Sequence, residues 1–240
     1  TKRYYQLLTR FSSNLAMLSD IAMLALGADL KRRERISARL GDVLSHLYLA
    51  SACLKRFNDE GRQKDDLPLL QWAVEDSLYN IQQAMDELLS NFPNRWLAYS
   101  LRVIIFPFGT WLTKPSDNLD HQVAQLLQTP SETRNRLGKW QYLVRDGKNI
   151  FGILEQTLED IIACEPIFAK VCIALDKKLP FYQLDNAAKL GLTVNAITEK
   201  EAQLLIKTEQ GRRAVIGVDD FDNSELVASN LTGKQENNLQ

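Results

Sequence analysis

Residues 31–57, KRRERISARLGDVLSHLYLASACLKRF, decide the fold of this 240-residue chain. Apolar residues recur in this stretch at steps of three and four, which is the period of one face of an α-helix. They are Ile36, Leu40, Val43, Leu44, Leu47, Ala50, Leu54 and Phe57. The pattern predicts a core helix, and similar patterns lie on both sides of it.

A first helix is predicted over residues 2–26, with Gly27 as its C-terminal stop. Residues 15–26 contain only two polar positions, so we expect this half to be the most buried part of the chain. Together with the apolar face over residues 40–54, it should form the core.

Two further long helices complete the prediction for the first half of the chain. One begins at the signal formed by Asp65, Asp66 and Pro68 and stops before residue 93. The next is capped by Asn94 and ends at the turn over residues 106–109, because its proline removes a backbone donor. Four long segments with short joints predict an all-α fold, with an antiparallel helical bundle over residues 1–110.

The rest of the chain predicts shorter elements. Thr198 and Glu201 form a T-x-x-E capping box, which predicts a last helix through about Arg213. Polar composition predicts a disordered tail over residues 223–240. We expect the helices of residues 111–222 to pack on or beside the bundle. They are predicted at residues 116–128, 131–137, 150–164, 167–175 and 184–192, and an extended segment at 218–221.

Composition narrows the classes of function. Twenty-nine Lys and Arg face 30 Asp and Glu, so a net charge of −1 argues against a general nucleic-acid binder. The three cysteines lack metal-type spacing and favour a reducing cytoplasm. Neither a signal peptide nor a run of about 18 uncharged apolar residues is present, which predicts a soluble or at most peripheral protein. Because the chain begins with Thr1 inside a helical pattern, we expect an N-terminal partner domain.

Metal and nucleotide chemistry lack their usual residues. His46 and His121 are the only histidines, and neither has the spacing of a zinc or di-iron site. Glycine-rich phosphate loops of the G-x-G-x-x-G or G-x-x-x-x-G-K type do not occur. The sequence therefore predicts neither a metal site nor a nucleotide loop in this chain.

The basic run Lys31, Arg32, Arg33 and Arg35 is the sharpest charge feature. Positive charge at the start of a helix opposes the helix dipole, so a compensating anion is expected. The functional interpretation is docking to a phosphate-bearing ligand or to an acidic face of the missing domain. The plainer interpretation is that Glu34 and nearby acids pair with the run on a solvated surface.

Four polar residues interrupt apolar helical surroundings. Asp20 and Arg39 are candidates for a partly buried ion pair between the first two helices. Asp42 and His46 stand four residues apart, and a hydrogen-bonded core histidine is the commoner explanation of that spacing than an acid–base pair. We interpret the four as a candidate buried polar network.

Residues 96–112 are rich in aromatic side chains and contain one charge. Trp96, Ile105, Phe108 and Trp111 are therefore candidates for a membrane or subunit contact. The alternative is an ordinary bundle helix whose proline end turns over the core.

Five stretches of the chain carry a resemblance to a known family. They are LKRRERISARLGDVLSHLYLASACLKRF (residues 30–57), NFPNR (91–95), IIFPFG (104–109), PSDNLDH (115–121) and VDDFD (218–222). Together they resemble the C-terminal domain of bacterial FadE-type acyl-CoA dehydrogenases. The resemblance covers nearly the whole chain, and the matching stretches occur in the same order.

The resemblance implies an enzyme that oxidises fatty acyl-CoA to trans-2-enoyl-CoA with FAD, in the first step of β-oxidation. Its glutamate base and its flavin site lie in an upstream dehydrogenase core, so no catalytic, cofactor-binding or metal residue is assigned to this chain. FAD and an electron-transfer flavoprotein would serve the full-length enzyme. The implied location is the bacterial cytoplasm, with peripheral contact at the inner membrane as an option.

The chain also looks similar to the helical extension of very-long-chain acyl-CoA dehydrogenases, which in those enzymes leaves dimers rather than tetramers. Our main hypothesis is thus a noncatalytic domain for packing on the dehydrogenase core, assembly of a homodimer, or membrane proximity. A second is that Lys31, Arg32, Arg33, Arg35 or Arg95 binds the phosphates of CoA. A third is a peripheral membrane anchor.

Overall fold

A computed structural model describes residues 1–217, and every regular element in that part of the chain is helical. The predicted all-α class is therefore confirmed. The extended segment expected at residues 218–221 and the tail expected at 223–240 lie outside the described residues.

The helices begin and end close to the predicted positions. A 3-10 helix, Gly27–Arg32, joins the first two, and Gly27 stands at the expected stop with a φ of +50°, a conformation that favours glycine. A second 3-10 helix, Lys64–Asp66, precedes the third. The α-helices are α1 (Lys2–Leu26), α2 (Glu34–Asp59), α3 (Leu67–Ser90), α4 (Arg95–Ile105), α5 (Asp117–Gln128), α6 (Glu132–Leu137), α7 (Ile150–Ala174), α8 (Leu184–Thr193) and α9 (Glu199–Ile216).

Side-chain caps fix several of these boundaries. The Asn94 side chain accepts the Leu97 N–H at the start of α4. At the start of α9, the Thr198 hydroxyl accepts the Glu201 N–H, while the Glu201 carboxylate accepts the Thr198 N–H at 2.8 Å. The predicted cap and capping box are both confirmed.

One predicted break does not occur. Residues 150–164 and 167–175 were expected to form separate helices, but α7 runs through Pro166 without ending. Cys164, Ile167 and Val171 are all buried on the same face, so the apolar period continues across the proline. Burial of this face outweighs the one backbone hydrogen bond that proline cannot make.

The first compact unit, Thr1–Leu137, is built around α3. This helix packs against α1, α2, α4 and α5, and it contributes more buried residues than any other described helix. The prediction that residues 15–26 would be most buried is wrong, because Met23 and Leu24 face away from the core. Leu44 likewise leaves the buried face of α2.

Consecutive long helices of this unit run antiparallel. Arg39 near the start of α2 pairs with Glu87 near the end of α3, so these two neighbouring helices are antiparallel. Tyr4 at the start of α1 donates to Glu75 in the N-terminal half of α3, so α1 runs in the same direction as α3. The segment after α4 is held by a reciprocal pair of hydrogen bonds between the Gln82 amide and the backbone of Leu112, each 3.0 Å long. These contacts place α1 and the segment after α4 beside α3.

Contacts divide the chain after Leu137, whereas the sequence set the end of the bundle at residue 110. The difference arises because α5 packs on α3 and α6 is tied to the start of α3. A second compact unit begins at Gly138. There α9 packs against both α7 and α8 around a separate core that contains Cys164, Val171 and Leu205.

One described helical stretch, Lys2–Arg32, is long and apolar enough to cross a bilayer by length and composition, with a mean hydropathy of 1.3. Only 22% of its most apolar window is buried in the structure. Core helices of soluble proteins have the same length and composition.

Candidate docking surfaces and binding groove

The basic run lies at the joint between α1 and α2, and all its side chains are exposed. Lys31 and Arg32 belong to the 3-10 helix, Arg33 forms the joint, and Arg35 is in the first turn of α2. Among residues 1–217, no carboxylate forms an ion pair with any of these four cations. The expected pairing with Glu34 is therefore not observed, and the joint presents uncompensated positive charge.

Arg95 lies at the same end of the first unit. The Arg39–Glu87 pair places the start of α2 beside the end of α3, and Arg95 opens α4 only a few residues later. Its guanidinium donates to the backbone C=O of Ser90 at 2.5 Å. The joint between α1 and α2 and the joint between α3 and α4 thus form one basic end.

A shallow groove of about 370 Å³ lies beside Arg95. Trp96 and Tyr99 form one wall, and Arg102 lies between them and the end of α3, where it donates to Asp86 and to the Ser90 hydroxyl. The partner of Arg95 is the backbone C=O of Ser90. Within the described part of the chain, its guanidinium forms no ion pair with a carboxylate. Aromatic rings next to a guanidinium can stack a planar group and hold an anion.

The outer side of α4 forms an exposed aromatic face. It consists of Trp96, Tyr99, Val103, Ile104 and, just beyond the helix, Phe108. Trp96 is 86% exposed, so almost all of its indole meets solvent. Exposed apolar surface of this kind is uncommon on monomeric proteins and often marks an interaction site.

Ile105 does not belong to this face, although the sequence grouped it there. Its side chain is 1% exposed and lies in the core, while the neighbouring Ile104 is 60% exposed. Consecutive residues on a helix point about 100° apart, so only one of the two isoleucines can face the bundle. Trp111 lies after α4, partly exposed, with the Arg3 guanidinium 5.3 Å from its ring centre.

The four residues of the predicted polar network are not brought together. Arg39 turns towards α3, where its Nε lies 3.2 Å from Glu87, so the expected pair with Asp20 is not formed. Asp20 and Asp42 are exposed. His46 is half-buried, and its Nδ1 has no hydrogen-bond partner in the part of the chain that the structure describes.

An apolar groove of about 510 Å³ opens at the other end of the first unit. Four elements form it: the C-terminal part of α2, the N-terminal part of α3, and parts of α5 and α6. Its apolar wall consists of Cys53, Phe57, Leu69, Leu70, Trp72, Ala73, Val123, Leu127 and Leu137. Sequence patterns do not reveal this groove, because each wall residue follows an ordinary helical stripe.

Ion pairs close one edge of the groove. Arg136 of α6 donates to both oxygens of Asp66, at 2.6 and 2.7 Å, and the Thr133 hydroxyl donates to the same carboxylate. Arg56 donates to Glu60 at 2.9 Å, and Arg136 lies 3.6 Å from Glu60. The hydrogen bond to Asp66 raises the pKa of Arg136, so this edge stays a set of paired charges. It also ties α6 to α2 and α3.

The wall of the groove carries two polar groups that change its chemistry little. The Trp72 indole N–H donates to Asp120 at 2.5 Å and so leaves its ring to face the groove. Burial raises the pKa of the Cys53 thiol, which therefore stays neutral at physiological pH. The groove is thus suited to an uncharged apolar occupant.

The second unit contains a buried carboxylate, Glu209, which the sequence analysis did not single out. Arg212 donates to it at 2.7 and 3.0 Å and Arg213 at 2.8 Å. The hydrogen bond from Arg212 lowers the pKa of Glu209. Because both guanidinium groups also reach the region of α8, the cluster links α9 to α8 and is structural.

Comparison with known protein families gives one match over most of the chain. The family model described as acyl-CoA dehydrogenase, C-terminal, bacterial type, matches residues 1–221. No solved structure matches significantly.

Proposed function

The chain belongs to the family of bacterial-type acyl-CoA dehydrogenase C-terminal domains, and from this premise we propose that it is the noncatalytic helical domain of a FAD-dependent fatty acyl-CoA dehydrogenase. In this proposal the upstream core binds FAD, removes the two hydrogens from acyl-CoA and passes the electrons to an electron-transfer flavoprotein. The present chain packs on that core and supports assembly of a homodimer.

The exposed aromatic face of α4 is the observation that carries the proposal. Its aromatic and branched side chains are exposed and do not belong to the hydrophobic core of the bundle. They therefore contribute little to the folding of this unit. Aromatic residues are enriched at the centres of protein interfaces, where they contribute most of the binding energy. Burying this face against the dehydrogenase core would remove the apolar surface from water.

The first experiment compares this chain with the same chain joined to its native upstream sequence. We expect the longer protein to bind FAD and oxidise palmitoyl-CoA, and the present chain to be folded, flavin-free and inactive. Bound flavin or activity in the present chain alone would contradict the noncatalytic assignment.

A second experiment tests the docking face in the longer protein. Trp96→Ser with Tyr99→Ser should weaken association of the domain with the core, measured as increased protease sensitivity of the joint and a lower thermal midpoint. Trp140→Ser with Tyr142→Ser is the matched control, since these residues are a second exposed Trp and Tyr pair. Equal effects of the two double variants would exclude a specific role for the α4 face.

The basic end favours a second candidate function, contact with the phosphates of CoA. Lys31, Arg32, Arg33, Arg35 and Arg95 share one end of the first unit. A groove with two aromatic rings lies beside Arg95. Guanidinium groups bind phosphate through paired hydrogen bonds, and an aromatic ring can stack on a purine.

Charge reversal in the longer enzyme separates this candidate from the first. Arg32→Glu with Arg33→Glu should raise the apparent KM for palmitoyl-CoA at low salt and leave kcat unchanged. Lys177→Glu with Lys178→Glu provides the same charge change at another exposed site. An unchanged KM in the first double variant would refute contact with CoA.

Peripheral contact with the inner membrane is a competing use of the same aromatic face, because Trp and Tyr favour the boundary between lipid and water. Flotation with liposomes made from bacterial lipids tests it. Trp96→Glu and Phe108→Glu should abolish flotation if the face inserts into lipid, and flotation that survives both would discard the membrane anchor.

A further inference from the structure

The groove between α2, α3, α5 and α6 has the form of a binding site for a small molecule. Pockets for such ligands have volumes of about 300–1,000 Å³ and mostly apolar walls. This groove has about 510 Å³ and nine apolar or aromatic wall residues. It is concave, whereas the aromatic face of α4 projects outward from its helix.

The charges at its edge leave nothing for an ionic ligand to neutralise. Arg56 is paired with Glu60, and Arg136 is paired with Asp66. The two cations and two anions sum to zero, so an incoming charged group would have to displace an existing partner. An uncharged hydrocarbon gains from the apolar wall without that penalty.

The walls are also held in place before any ligand arrives. Arg136 and Thr133 both bind Asp66, which fixes α6 at the start of α3. Trp72 is fixed by its hydrogen bond to Asp120 of α5. Because the wall is preformed, the protein loses little conformational entropy when a ligand binds, and that favours a small molecule over a partner that reshapes the surface.

We propose that this groove binds the hydrocarbon tail of a long-chain acyl group and leaves the polar head group in solvent. The choice of an acyl chain among apolar ligands rests on the proposed function, since the whole enzyme acts on fatty acyl-CoA. The groove would then hold acyl chains outside the active centre of the dehydrogenase core.

Titration with octanoate, decanoate and dodecanoate tests the proposal on the full 240-residue chain. Calorimetry should give one saturable site, and the affinity should rise by about fourfold for each added methylene, as expected for burial of hydrocarbon. Dodecanol should bind as tightly as dodecanoate, because the head group stays in solvent. Quenching of Trp72 should follow the same isotherm and should disappear in Trp72→Phe while calorimetric binding remains.

Leu127→Asp places a charge in the wall and should weaken dodecanoate binding by at least about tenfold. Leu154→Asp is the matched control, because Leu127 and Leu154 are 44% and 42% exposed and only Leu127 lines the groove. Circular dichroism and thermal melts of both variants establish that they are folded.

Absence of saturable binding, or binding that Leu127→Asp leaves intact, would refute the proposal that the groove binds an acyl chain. A chain that fails these tests and still packs on the dehydrogenase core through α4 would retain the proposed function. If dodecanoate binding is intact but the α4 substitutions have no specific effect on docking, the groove is retained and the docking role of α4 is refuted.

Discussion

Gln82 shows how one buried polar side chain organises the surrounding backbone. The residue is 2% exposed on α3, and its amide both donates to the Leu112 C=O and accepts the Leu112 N–H. The two bonds satisfy both backbone polar groups of Leu112, which lies in a segment without regular secondary structure. It therefore positions the chain between α4 and α5.

Replacing Gln82 by Leu should lower the free energy of unfolding by about 1–3 kcal/mol, because two backbone groups lose their partner. Urea unfolding followed by circular dichroism measures the change. Gln122→Leu, on the exposed side of α5, should stay within about 0.5 kcal/mol of the parent. If the two variants had equal stability, the Leu112 contact would contribute nothing.

Glu201 gives the second unit a predictable dependence on pH. The hydrogen bond from Lys170, followed by those from Thr198, lowers its pKa to about 2. The pKa of an unfolded glutamate is about 4.3. Because the folded pKa is the lower one, this stabilisation is fully present above about pH 4.3 and is lost as pH falls towards 2.

Thermal melts of the parent and Glu201→Gln between pH 2 and 7 test this expectation. The parent should melt at the higher temperature at neutral pH, and the difference should shrink below pH 4.3. Glu199→Gln, in the same first turn, is the control. A difference between parent and Glu201→Gln that is independent of pH would show that the carboxylate charge has no role.

At the scale of the residue, sequence patterns found caps but missed buried polar contacts. The T-x-x-E motif at Thr198 and Glu201 is local, since both partners lie within three positions of each other. The partner of Gln82 is 30 residues away and is a backbone group, so no side-chain pattern identifies it. The same reason explains the wrong partner for Arg39, since helical spacing does not say which neighbouring helix a charged side chain faces.

Helix α4 combines a buried and an exposed surface over two consecutive residues. Ile105 is enclosed by the core, and Ile104 projects outward with the aromatic face. The same substitution should therefore have different effects at the two positions. Ile105→Ala should cost about 2–5 kcal/mol of stability, since it leaves a cavity in the bundle.

Ile104→Ala should change stability by about 0.5 kcal/mol or less, because the side chain already meets solvent. In the longer enzyme, Ile104→Ala should instead weaken packing of α4 on the dehydrogenase core. Chemical denaturation of this chain and protease sensitivity of the longer one measure the two effects. Equal destabilisation by the two variants in this chain alone would contradict the exposed face.

Helix boundaries were predicted well where a local signal sets them, as at Gly27 and Asn94. The expected break near Pro166 did not occur, because Cys164 and Val171 continue one buried face across it. Proline opposes a helix through one lost hydrogen bond and one clash, and burial along a long face can exceed that cost. Which face of α1 is buried depends on α2 and α3, and the sequence of α1 alone does not contain that information.

The basic end and the apolar groove lie at different parts of the first unit. The basic end lies at the joints of α1 with α2 and of α3 with α4, while the apolar groove lies where α2 ends and α3 begins. A net charge of −1 concealed this separation, because it sums the basic end with acids elsewhere. Family membership was recognisable from the sequence, since long matching stretches lie in order, but the groove required the packing of four helices.

The two compact units have separate hydrophobic cores, and among residues 1–217 no buried residue belongs to both. Leu78 is enclosed in the first and Leu205 in the second. Truncation of either to alanine should cost about 2–5 kcal/mol within its own unit. Each unit should respond as its own cooperative region, because cooperative unfolding follows shared buried contacts.

Hydrogen exchange followed by mass spectrometry can test this separation in the full chain. Leu205→Ala should speed exchange in α7, α8 and α9 and leave α2 and α3 protected, whereas Leu78→Ala should produce the reverse pattern. The two substitutions remove the same atoms, so each serves as the control for the other. Loss of protection in both cores after either change would mean that the chain unfolds as one cooperative body, and destabilisation of the second unit would then also reach the docking face and the groove.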